Sequence, residues 1–120
     1  MMSRLFLFIF TFFSFIPNLC AQEAAQALAD KSHRVVIFYD KDNQEIGRFY
    51  AAFGRRYGAK LKEGDMRTPE GDYWLYPARK SQDWSFFMPI DYPNANDLMR
   101  ARRAGVALDD LGGQIGLHGT

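Results

Sequence analysis

The chain has 120 residues, 48% hydrophobic and 24% charged, with a formal net charge of +1. That length holds one domain, and the near-balance of charge excludes the basic footprint of a nucleic-acid binder. One cysteine, Cys20, leaves no internal disulfide to stabilise the fold.

Met1-Met2-Ser3-Arg4 carries one positive charge, and Leu5 to Ile16 is an apolar run relieved only by Thr11 and Ser14. The run is too short for a spanning helix, which needs about 20 apolar residues. It fits the central region of a secretory signal, with Pro17-Asn18 breaking the helix and cleavage expected after Ala21. Residues 1–21 are therefore expected to be a signal peptide that exports the chain to the periplasm or beyond, with no stable membrane span after cleavage. An uncleaved anchor is the alternative. Lipidation of Cys20 is disfavoured, because Pro17-Asn18-Leu19 lacks the small residues that such sites use. Cleavage removes Cys20 and one of 15 basic residues, Arg4, leaving 14 against 14 acidic ones and no thiol. An exported domain of that kind must rely on its core.

Residues 22–33 (QEAAQALADKSH) are polar and Ala-rich, with too little apolar bulk for an isolated helix, and read as a leader. RVVIFY (34–39) and EIGRFYAAF (45–53), joined by the turn cluster DKDNQ, predict a β-hairpin with Phe49, Ala51 and Phe53 on one face. The glycine-rich stretch 54–69 reads as an exposed loop. DYWLYPA (72–78) and WSFFMPIDY (84–92) predict two further strands, the second at an edge or bulged because Pro89 has no amide donor. Asn94 or Asn96 caps a short helix with Asp97 in its first turn, Arg100, Arg102 and Arg103 toward its end, and Gly105 as its stop. The expected fold is antiparallel and mostly β, with one short helix.

Residue types alone point to little chemistry. The two histidines and scattered carboxylates lack metal-ligand spacing, and no cofactor motif is present. His33 reads as an exposed residue before a strand, and a lone His118 as structural. Asp65, Glu70, Asp72 and Arg67 read as a self-paired turn, since exposed ion pairs contribute only about 0–1 kcal/mol. Arg55, Arg56, Lys60 and Lys62 read as a solvated loop. Trp74, Tyr76, Trp84 and Phe86, at strand spacing, read as core.

Order changes this assignment. The stretches GRRYGAKLKEGDMRTPEGDYWLY, MPIDYPNANDLMRARRAG and GGQIGLHGT occur in sequence. Together they resemble the L,D-transpeptidase family with the YkuD-type catalytic domain, over about residues 34–120. The matching residues are Gly58, Lys60, Gly64, Asp65, Thr68, Pro69, Glu70, Gly71 and Tyr73, then Tyr92, Pro93, Asn94 and Asp97, then Ile115, Leu117, His118 and Gly119. The Y-P-N…D element is similar to the periplasmic, murein-modifying branch.

The resemblance implies a β-sandwich or barrel-like domain and a cysteine acyltransferase acting on peptidoglycan stem tetrapeptides. In that chemistry a thiolate attacks the L,D-peptide bond before the terminal D-alanine. The thioester is then resolved by a diaminopimelate amine on another stem, a lysine of a cell-wall-attached lipoprotein, or water. The resemblance makes His118 the general base and the Gly119 carbonyl the group that orients it. The family's nucleophile lies in a later S-H-G-C segment, which is absent from these 120 residues. The chain is thus expected to be the N-terminal portion of such a domain, truncated before its nucleophile and inactive as it stands. A short, non-catalytic peptidoglycan-binding module is the competing reading.

Overall fold

The structure is a computed structural model that describes residues 23–120. The expected signal, residues 1–21, lies outside the described residues. Among those described, no helix is long and apolar enough to cross a membrane. The chain divides into two units, residues 1–52 and 53–120.

The described part of the first unit is a three-stranded antiparallel sheet of β1 (Gln26–Asp30), β2 (Val35–Tyr39) and β3 (Glu45–Tyr50), with β2 central. Leu28 faces Ile37, and Ile37 faces Arg48. Val35, Val36 and Ile37 of the central strand are all buried. β-Branched residues suit that position because their stiff side chains pack well on a pleated surface. The expected hairpin is present, with its second strand ending at Tyr50 instead of Phe53, and Asp40 builds its turn. One carboxylate oxygen accepts from the Asp42 and Gln44 amides at 2.9 Å each, while Asn43 takes the left-handed conformation at φ 63°.

Residues 22–33 are not the expected polar leader, since they contain β1. Gln-Ala-Leu-Ala-Asp has no strong strand preference, but five residue pairs with β2 supply the ladder that propensity does not. The Asp30 carboxylate then closes the turn into β2. It accepts from the Ser32 amide and hydroxyl at 3.0 and 2.6 Å and from the His33 amide at 3.1 Å.

In the second unit, β4 (Phe87–Pro89) and β5 (Gly116–His118) form an antiparallel pair, with Phe87 opposite His118 and Pro89 opposite Gly116. The two longer strands expected here contract. Residues 72–78 contribute one bridge, Leu75 to Ile90, and residues 84–92 reduce to β4 plus that bridge. Two prolines explain the loss. Pro77 has no donor to extend the pairing, and Pro89 accepts from the Tyr76 amide at 2.8 Å without returning a bond. A strand residue directs its N–H and C=O to the same side, so the missing donor of Pro89 falls toward Tyr76 and leaves β5 its partner.

Helix α1 (Ala95–Arg103) follows the cis Tyr92–Pro93 peptide. Asn94 is its cap, accepting from the amides of Asn96 and Asp97, while Asp97 accepts in return from the Asn94 amide at 2.9 Å. This reciprocal box satisfies donors that the first helical turn would otherwise leave open. Gly105, at φ 71°, lies just past the C-cap Ala104. A 3-10 turn, Leu108–Leu111, brings Leu111 into the core of this unit with Phe87, Tyr92 and Ala101. The described residues are mostly β with one short α-helix, as the sequence predicts.

Candidate active site

The loop before Tyr73 is built on a buried ion pair. Lys60 and Asp65 are both about 7% exposed at the side chain, with Nζ 3.1 Å from the carboxylate. Asp65 also accepts from the amides of Leu61, Lys62 and Arg67 at 2.8, 3.2 and 3.1 Å. Burial opposes ionisation of Asp65, but these amides and the Lys60 ammonium overcome it and hold the carboxyl well below its ordinary range. Lys60 is therefore not one of the solvated loop cations that the sequence suggested.

The remaining motif residues extend this frame. Thr68 accepts from the Gly54 amide at 2.7 Å through its hydroxyl. The Tyr73 hydroxyl donates to Asp97 at 2.8 Å, and Asn94 donates to the Asp72 carbonyl at 3.1 Å, tying the loop to the start of α1. Burial, and then the hydrogen bond to the Asp97 carboxylate, push the Tyr73 hydroxyl well above its usual range. Arg100, from the next helical turn, donates to the Glu70 carbonyl. Asp65 and Asp97 are thus committed to holding backbone and tyrosine.

His118 ends β5. Its Nδ1 lies 3.1 Å from the Gly119 carbonyl oxygen, which can only accept. Nδ1 therefore carries the proton in the neutral ring, and Nε2 is left with its lone pair free. The backbone on either side is held by the pairing of His118 with Phe87 and by the Gly119 amide, which donates to the Phe86 carbonyl at 3.3 Å. The Trp84 indole stacks on the imidazole with centroids 4.1 Å apart and planes at 22°.

Two glycines permit this crossing by having no side chain. A Cβ at Gly116 would collide with the Met88 carbonyl and the Phe87 ring, and one at Gly119 with the Ser85 hydroxyl and the Phe86 ring.

The aromatics expected in the core are largely outside it, Trp74 being 77% and Trp84 39% exposed. His33 is exposed and bonded to Asp30 at 2.7 Å. It borders a hollow of about 520 Å³ on the first unit with Val35, Ile37, Arg48 and Tyr50. Its polar side chains already bond locally, His33 to Asp30 and Arg48 to Glu45. Among the described residues, no group of three or more His, Cys, Asp or Glu is placed to hold a metal. The Trp84–His118 contact is the feature that sequence reasoning missed. Only the β4–β5 pairing brings position 84 beside position 118, and no local spacing encodes it.

Fold and site together define a mostly β domain that presents one backbone-anchored imidazole at a strand end. The family model of the L,D-transpeptidase catalytic domain (YkuD) matches residues 24–120, and the chain belongs to that family. The match takes in β1, which precedes the stretch spanned by the sequence motifs. Searches of curated proteins and of solved structures gave no significant match.

Proposed function

We propose that this chain carries the base-bearing part of an exported peptidoglycan L,D-transpeptidase, with His118 as general base and the Gly119 carbonyl as its orienter. The hydrogen bond from His118 Nδ1 to Gly119 carries the reading, because it leaves Nε2 as the basic nitrogen. In the reaction, Nε2 accepts the proton of a cysteine thiol and the sulfur attacks the carbonyl of the L,D-peptide bond. The C–N bond to D-alanine breaks, and the imidazolium returns its proton to the leaving amine. An acceptor amine on another stem or on a lipoprotein, or water, then resolves the thioester. The histidine matters because a free thiol of pKa about 8.5 is only a few per cent thiolate near neutrality.

Cys20, within the proposed signal, is the sole cysteine of the 120 residues. The 120-residue chain by itself is accordingly proposed to form no acyl-enzyme. Intact-mass spectrometry after exposure to a stem tetrapeptide or a carbapenem tests this. The expected spectrum is unmodified protein, beginning at Gln22 if export cleaves where proposed. Any covalent adduct within residues 22–120 would sink the inactivity claim. The exposed rings of Tyr57, Trp74 and Tyr76 favour a second reading, a non-catalytic module that binds peptidoglycan. Co-sedimentation with purified sacculi reads that directly.

A further inference from the structure

We infer that Trp84 is a positioning residue for the His118 imidazole, fixing the one direction in which Nε2 points. The inference rests on the reading of His118 as base. The hydrogen bond from Nδ1 reaches only the next residue's carbonyl, and a single bond of that kind leaves the ring free to tilt about it. Trp84 removes this freedom by covering one face of the imidazole, with planes 22° apart and centroids at 4.1 Å.

Trp84 can do this because it is itself held. Trp84 also packs on Phe87, at 6.0 Å and again 22°, so it contacts both members of the cross-strand pair Phe87–His118. The loop that delivers Trp84 is closed at its base by reciprocal Arg79–Phe87 backbone bonds of 2.9 and 3.0 Å. The Arg79 guanidinium lies 5.3 Å from the centre of the Phe87 ring. Within the loop, the Ser81 hydroxyl accepts from the amides of Asp83 and Trp84 at 3.2 and 3.3 Å. The Gly119–Phe86 bond ties the same loop to the backbone just past His118. The loop is thus fixed to the same strand pair that carries His118, which holds Trp84 against the imidazole.

The test is NMR of the full chain at a pH where both rings are neutral. There are only two histidines, and His33 serves as the internal reference. The expected result is an upfield ring-current shift of the His118 carbon-bound protons, with long-range nitrogen correlations showing a single tautomer protonated at Nδ1. Trp84→Leu should lose the shift and convert the single tautomer into a mixture, whereas Trp84→Phe should keep the tautomer and part of the shift. Unstacked His118 shifts in the native chain would overturn the inference. So would a Trp84→Leu chain that keeps the single tautomer, because the stack would then be packing only. If Trp84→Leu loses its amide dispersion, the native and Trp84→Phe spectra decide. These spectra report ring geometry alone, so they stand or fall separately from the base role of His118, which acylation rates test.

Discussion

Alanine at position 118 is expected to slow thioester formation by about 10²–10⁴-fold, the usual contribution of a positioned general base. The measurement needs a chain extended in frame through an S-H-G-C segment of the family, acylated by a carbapenem and followed by intact mass. The few per cent of thiolate present near neutrality sets the residual rate of the variant. That residual should rise with pH toward the thiol's own ionisation, so the gap between variant and parent narrows in alkali. Circular dichroism distinguishes this from misfolding. His118 is exposed at a strand end, and its removal should leave the β4–β5 ladder standing.

The largest stability effect is expected at Asp65. Asp65→Ala leaves the Lys60 ammonium buried without its partner, which for a buried pair costs about 3–5 kcal/mol. It also strands the amides of Leu61, Lys62 and Arg67, each of which now donates to that carboxylate. Urea unfolding measures the loss. A paired Lys60→Met, Asp65→Leu chain should recover only part of it, because methionine removes the unpaired buried ammonium but leucine accepts no hydrogen bond from the three amides. Since folding holds the Asp65 carboxyl below its unfolded value of about 3.9, its contribution is fully present above that pH. It is lost progressively as pH falls from about 4 toward the depressed folded value. Asp65→Asn should flatten that acid limb of the stability curve, and an unchanged limb would contradict the assignment.

The hairpin of the first unit was legible because its signals are local. A β-branched run, a turn cluster built on Asp40 and a second alternating run each act over a few residues. The cap of α1 was legible for the same reason, since Asn94 and Asp97 bond each other across three positions. β1 was not, because its residues gain strand geometry only from β2. Around residues 72–92 the alternation of aromatics suggests longer strands than form, because Pro77 and Pro89 lack donors. Lys60 and Asp65 carry the residue types of a solvated loop although they are buried. Charge type in a glycine-rich loop says nothing about burial when the partner and the amides that receive it come from the same short segment.

The proposed site rests on a different signal. The order of family motifs, not local pattern, singles out His118 and Gly119, and the two are joined by a hydrogen bond. Most other motif residues proved to be scaffold. Asp65 holds a loop, and Tyr73, Asn94 and Asp97 lock that loop to a helix cap. These residues build the frame, which leaves His118 as the residue proposed for proton transfer.

The proposed chemistry is tested most directly by product release from a stem tetrapeptide. A chain extended in frame through the S-H-G-C segment is incubated with the tetrapeptide, and free D-alanine is quantified alongside the intact mass of the protein. At least one equivalent of D-alanine, with a thioester on the added cysteine or the product of its resolution by a second stem or water, is the expected result. Release without that cysteine, or a well-folded extended chain that releases no D-alanine, would contradict the assignment of His118 to L,D-transpeptidation.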